Sequence, residues 1–121
     1  MGMINTNRRS QCAISTGLDF YGDKWTLLII RDMIKGKSRF KEFEESDEGI
    51  PTNILSSRLK KLEEQGFIKK EPYQLKPKRF QYTLLDKGRD LIPIMQSMSK
   101  WSIKYGDDVK SPPPAFFEIK V

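Results

Sequence analysis

The sequence contains no histidine and only one cysteine, Cys12. The first absence removes the commonest general base and the commonest metal ligand. The second rules out an intramolecular disulfide and any zinc site built on a cysteine cluster. A lone thiol suits a reducing compartment, so a cytoplasmic location is expected. Long hydrophobic runs are also missing. The longest, Leu27 to Ile30, falls far short of the ~20 residues that span a bilayer. Arg8 and Arg9 near the N-terminus are not followed by the apolar stretch of a signal peptide. There is no glycine-rich phosphate loop and no nucleophile elbow. The acidic pairs Glu44-Glu45 and Glu63-Glu64 stand beside lysines, as on solvated helix faces. These absences predict a protein that is not an enzyme, carries no cofactor or metal, and does not enter a membrane.

What the sequence has in excess is positive charge. Its 22 Lys and Arg outnumber 16 Asp and Glu, a net charge of +6. That balance favours a polyanionic partner, nucleic acid first. A length of 121 residues suits one domain with one core. Two Trp, four Tyr and seven Phe supply aromatic bulk that a disordered chain lacks.

Residues 1–11 are polar and without period, which predicts a mobile arm. Over 12–21, Ile14, Leu18 and Tyr21 share one side of a short helix. Gly22-Asp23 breaks it, and Asp23 suits the N-cap of a second helix, Lys24 to Lys35, stopped by Gly36. Trp25, Leu27, Leu28, Ile29, Ile30, Met33 and Ile34 make that helix apolar almost all round, which places it centrally. Ser38 suits the cap of a third, shorter helix from Arg39 to about Glu45, with Phe40 and Phe43 on one side. A turn over 46–49 follows. Ile50-Pro51-Thr52 then opens a fourth helix that runs to Gln65, with Leu55, Leu59 and Leu62 as its apolar stripe and Gly66 beyond its end.

After Gly66 the period changes. Phe67 to Tyr73 reads as extended, and Arg79 to Leu84 as a strand in which Phe80, Tyr82 and Leu84 alternate. The loop between them, Gln74 to Lys78, makes a hairpin. A long helix from about Asp86 to Tyr105 carries Leu91, Ile94, Met95, Met98, Trp101 and Tyr105 on a broad apolar face. Pro93 should kink its first turns or mark its true start. Pro112-Pro113-Pro114 predict an extended tail over 107–121, whose Phe116 and Phe117 are free to dock on the body or on a partner subunit. The folded domain is therefore expected over 12–106.

A short helix, a tight turn and a second amphipathic helix form a helix-turn-helix unit, and the hairpin beside it forms a wing. The expected fold class is α+β, mostly α: a winged helix-turn-helix with a C-terminal dimerisation helix. The second helix of the unit suits the major groove of double-stranded DNA. Opposite its leucines it offers Thr52, Asn53, Ser56, Ser57 and Lys60, short or flexible groups that reach base edges and phosphates. Arg58 and Lys61 lie further round, suited to backbone contacts or salt bridges. The hairpin concentrates Lys69, Lys70, Lys76, Lys78 and Arg79 against Glu71 alone. Of these, Lys76, Lys78 and Arg79 are the expected wing contacts to DNA. Leu18, Leu91, Met95, Met98, Trp101 and Tyr105 are the expected interface of a homodimer. A winged helix also serves as a protein-interaction module without specific DNA binding, and the basic wing and short polar face argue for DNA instead.

These motifs together resemble the HxlR family of bacterial winged-helix regulators, relatives of the MarR group. Lys24-Trp25-Thr26-Leu27-Leu28-Ile29-Ile30-Arg31 is similar to that family's KWTLLILR segment, and Arg39-Phe40-Lys41-Glu42-Phe43 to its RFxEL helix. Gly49-Ile50 with Leu55 to Glu63 resembles its GI…LSxRLKxLE recognition helix. Tyr82-Thr83-Leu84, Gly88, Leu91, Pro93 and Trp101 follow the pattern onward, so the likeness spans about Cys12 to Gly106. It implies a homodimeric transcription regulator on a near-palindromic operator. It also implies that Cys12, placed like the family's N-terminal cysteine, senses oxidants or electrophiles. The other reading of Cys12 is a reduced thiol at the dimer interface. A helix start at Cys12, with Arg8 and Arg9 nearby, would favour its thiolate. The resemblance leaves room for a small-molecule effector without identifying one. Two positions depart from the family: Pro51-Thr52 stands where Ser-Pro is common, and Leu85 where Thr often precedes the last helix.

Overall fold

Apolar spacing sets the element order seen in the computed structural model, which describes residues 8–121. The expected arm over 1–11 therefore lies mostly outside the described residues. Helices α1 (Ala13–Tyr21), α2 (Thr26–Ile34), α3 (Phe40–Glu44) and α4 (Thr52–Glu64) come first. Strands β1 (Ile68–Leu75) and β2 (Lys78–Leu84) form an antiparallel hairpin. Helices α5 (Asp86–Arg89), α6 (Ile92–Tyr105) and α7 (Pro114–Glu118) complete the order.

The leucine stripe of α4 does what its spacing demands. Leu55, Leu59 and Leu62 are all buried, against Ile29, Ile30 and Met33 of α2 and Phe43 of α3 in one core cluster. Phe67 and Ile68 enter the same core at the start of the hairpin, and Leu91 and Met95 close it from the C-terminal side. Edge-on ring pairs, Phe43 with Tyr82 at 6.3 Å and Phe20 with Phe67 at 6.0 Å, join helices to the hairpin. Gly88 is where α5 meets the first strand's entry. A Cβ there would lie 2.5 Å from the Phe67 carbonyl oxygen, so any larger residue pushes the two apart.

Several boundaries differ from the sequence expectation, each for a local reason. The second helix begins at Thr26, two residues late, yet Asp23 still caps it. Its carboxylate accepts the Trp25 and Thr26 amides, both at 3.0 Å. The cap of α3 is supplied by Glu42, whose carboxylate accepts the Ser38 and Arg39 amides at 2.9 Å, not by the Ser38 hydroxyl. The hairpin strands are longer than expected and leave only Lys76-Pro77 between them. Pairing slips between Pro72 and Gln74, a bulge that accommodates Pro72 within a strand. The long final helix is interrupted, and α6 starts at Ile92 with Pro93 in its first turn, where no amide donor is required. The tail is not wholly extended. Pro114 opens the short α7 because proline is excluded from a helix interior, not from its first position.

The turn between α3 and α4 is held by charge. Arg31 of α2 donates from Nη1 to Glu48 Oε2 at 2.7 Å and from Nη2 to Glu48 Oε1 at 2.8 Å. It also donates to Ser46 Oγ at 3.1 Å and to the buried Asp32 at 2.9 Å. The Arg31 donations to Glu48, aided by the Ser46 hydroxyl at 2.8 Å, hold the Glu48 carboxyl at about 2, below its ordinary 4.5, with partial burial opposing the shift. A carboxyl with a depressed folded-state pKa adds stability above its unfolded value and loses that contribution as pH falls through the folded value. The urea midpoint should therefore drop between about pH 4.5 and pH 2. Glu48→Gln should show a shallower drop over the same interval, measured by circular dichroism.

Candidate nucleic-acid interface

Helix α4 is positioned by its buried leucines, so its opposite face is turned outward. Thr52, Asn53, Ser56, Ser57 and Lys60 are all exposed along it. Thr52 is partly committed, since its Oγ1 donates to Glu44 Oε2 at 2.8 Å and ties the start of α4 to the end of α3. Arg58 is engaged within the chain. Its Nε donates to Asp23 Oδ2 at 3.0 Å, and both side chains are about 30% exposed (29% and 27%). The salt-bridge alternative is thus the one the structure adopts. Partial burial disfavours the Asp23 charge. Hydrogen bonds from Thr26, Trp25 and Arg58 outweigh it and hold the carboxyl below its ordinary value. One carboxylate therefore caps α2 and locks the middle of α4 to it.

The hairpin projects beside this face. Lys76, Lys78 and Arg79 are exposed and form no ion pair among the described residues. Lys69 is partly neutralised by Glu71 at 3.8 Å, so its charge counts for less. Lys70 lies 4.3 Å from the Phe80 ring centroid and Lys78 lies 5.6 Å from it, which places two cations about one aromatic side chain. Gln74 Nε2 donates to the Pro77 carbonyl at 3.0 Å and braces the tip. Two features escaped the sequence reading. Leu75 stands 72% exposed at the tip. The Arg39 guanidinium lies 3.8 Å over the Tyr73 ring and fastens α3 to the hairpin. Pro72 within a strand was a sign of the bulge at Tyr73, but nothing in the sequence pairs that ring with Arg39.

The six expected interface residues separate into two groups. Leu91 and Met95 are each 6% exposed and belong to the chain's own core, so they are not on offer to a second copy. Leu18, Met98, Trp101 and Tyr105 are exposed, and the Trp101 and Tyr105 rings lie 5.3 Å apart on the outer side of α6. Ile14 adds to the exposed apolar strip on α1.

Cys12 is exposed and sits at the start of α1. The backbone N–H groups of Ser15 and Ile14 lower its thiol pKa. The bias toward thiolate comes from these first-turn amides and not from the arginines. Arg9 pairs instead with Asp19 at 3.5 Å.

A short helix, a tight turn, a helix with a buried stripe and an adjoining hairpin define a winged helix-turn-helix protein. Residues 20–110 match the family of HxlR-like helix-turn-helix proteins, and the chain belongs to that family. It is 36% identical over 98 residues to the helix-turn-helix-type transcriptional regulator YdeP of Bacillus subtilis, covering 81% of this chain and 77% of YdeP. Among solved structures, PA1607, a transcription factor, superposes with a TM-score of 0.77 at 34% identity, over 89% of this chain and 76% of that one. The redox regulator HypR in its reduced form superposes with a TM-score of 0.72 at 33% identity, over 79% and 95% of the two chains. The protein is accordingly a transcriptional regulator of helix-turn-helix type and not an enzyme. Among the described residues no helix is long and apolar enough to cross a membrane.

Proposed function

We propose that the chain binds double-stranded DNA as a homodimer, with α4 in the major groove and the β1–β2 wing on the phosphate backbone. The observation that carries this reading is the pairing of a short polar face on α4 with Lys76, Lys78 and Arg79 of the wing, which have no carboxylate partner among the described residues. An exposed face of small hydrogen-bonding groups lets a helix approach base edges closely, and free cations release counterions from phosphates. The exposed apolar strips on α1 and α6 support the second copy. A two-fold arrangement of that kind presents two reading helices ~34 Å apart, one turn of the duplex. The operator is then near-palindromic.

Fluorescence anisotropy on duplexes tests the reading. Asn53→Ala is expected to change which sequence is preferred, by ~1–3 kcal/mol at the base it faces. A wild-type chain that binds no duplex at low salt would point to a protein-interaction module instead. Trp101→Glu should leave a folded monomer in sedimentation, since a charge on the apolar strip opposes its burial.

Cys12 is proposed as the sensor of this regulator. Its exposure and lowered pKa suit attack on an electrophile, which forms a thioether. Alternatively, two Cys12 thiols from two copies form a disulfide, passing two electrons and two protons to an oxidant such as diamide. The likeness to HypR supports the role. Cys12→Ser should keep DNA affinity and lose its response to diamide or quinone. A mutant that still releases DNA under either reagent would remove Cys12 from the mechanism.

A further inference from the structure

We propose that Lys87 of α5 is a positioning residue: together with the Arg58–Asp23 bridge it clamps α4 to α1, and so sets the half-site spacing that the dimer accepts. The inference rests on the DNA-binding homodimer proposed above. Lys87 Nζ donates to the Gln65 carbonyl at 2.9 Å, at the C-terminal cap of α4. A cation suits that place, because the last carbonyls of a helix carry partial negative charge. The same ammonium lies 5.0 Å from the Phe20 ring centroid and 4.8 Å from that of Phe67, within the ~6 Å over which an aromatic ring attracts a cation. Phe20 belongs to α1, and its ring meets that of Phe67 edge-on at 6.0 Å. One side chain thus joins α1, the end of α4 and the entry to the wing.

Asp23 makes the second link. It directly follows Gly22, whose amide closes α1 on the Leu18 carbonyl at 2.8 Å, and its carboxylate accepts Arg58 Nε at 3.0 Å. Arg58 and Gln65 are seven positions apart, about two helical turns, so both attachments lie on one side of α4 and roughly 10 Å apart along its axis. The leucine stripe decides which face of α4 is buried, but apolar packing is non-directional. Two directional links spaced along the helix fix its axis relative to α1. Ile14 and Leu18 of α1 belong to the exposed strip assigned to the second copy. The path from one reading helix to the other therefore passes through both clamps. Each added base pair carries a half-site ~3.4 Å further along the duplex and turns it by about 35°, so a stiffly clamped dimer accepts one spacing and rejects its neighbours.

Two measurements on the full chain test this, one of them without DNA. Spin labels on Cys12 and on Lys60→Cys, diluted with unlabelled chain, read the distance from α1 to α4 by double electron–electron resonance. A narrow distribution is expected for this labelled pair alone, and a broader, shifted one after Lys87→Met or Arg58→Met is added. Lys87→Arg, which keeps the charge and the donor, should restore the narrow distribution. For the second measurement, the wild-type chain selects an inverted repeat from a random duplex library, and the repeat is rebuilt with one or two base pairs added between its halves. Lys87→Met should lower the preference for the selected spacing about fivefold, as loss of one hydrogen bond implies. Base preference within each half-site should not change, and Lys87→Arg should recover the spacing preference. A chain that is merely destabilised loses affinity at every spacing alike, which leaves that ratio unmoved. The proposal is overturned if Lys87→Met keeps the narrow distance distribution or the wild-type spacing ratio. A library that yields no duplex would end the DNA-binding reading and the spacing role with it, while the spin labels would judge the clamp separately.

Discussion

Leu55→Ala is expected to destabilise the folded chain by ~2–5 kcal/mol, with a thermal midpoint lower by about 10 °C or more. Leu55 is fully buried where α4 meets the core. Truncation loses the transfer energy of the removed carbons and leaves a cavity that neighbouring helices only partly fill. Calorimetry on the purified variant measures the loss. Ser56→Ala, one position along and exposed, should stay within ~0.5 kcal/mol of wild type. Equal effects at the two positions would mean that α4 does not face the core as described. The same stripe orients the outer face, so Leu55→Ala should also weaken DNA binding at temperatures where Ser56→Ala is fully folded.

Joint replacement of Lys78 and Arg79 by alanine is expected to weaken duplex binding ~30-fold near physiological salt. Each phosphate contact releases roughly 0.9 counterion, which is worth about fivefold per charge at that salt. The slope of log K against log salt should fall by about 2, and the ranking of duplex sequences should not change. Lys69→Ala should have a smaller effect, because Glu71 already offsets that charge at 3.8 Å. Anisotropy titrations at several salt concentrations read both quantities. An unchanged slope in the double variant would take the wing off the phosphate backbone.

The polar face of α4 and the basic hairpin were legible because both rest on local spacing. A leucine every three or four residues turns the remaining side chains outward, whatever the helix packs against. Alternation across Phe80, Tyr82 and Leu84 likewise announced the second strand. Contacts between distant positions were not legible. Arg58 and Asp23 lie far apart in the chain, and nothing in either segment shows that they meet at 3.0 Å. The apolar face of the last helix was visible as a whole, but not its division into Leu91 and Met95 inside and Trp101 and Tyr105 outside. That division depends on where α6 crosses the core. The helix at Pro114 was missed because three prolines were read as excluding a helix, although the last of them occupies the one position where proline fits.

The sequence by itself determined the order of elements from the first helix to the hairpin, the inward side of α4, the excess of positive charge on the hairpin and the family. All of these follow from periods and motifs contained within single segments. Only the tertiary structure decided that Asp23 captures Arg58, that Arg39 stacks on Tyr73, and that the tail turns back to Gln96. The reason is physical: hydrogen bonds and ring contacts act over a few ångströms in space, and the chain's route through the core decides which remote residues come that close.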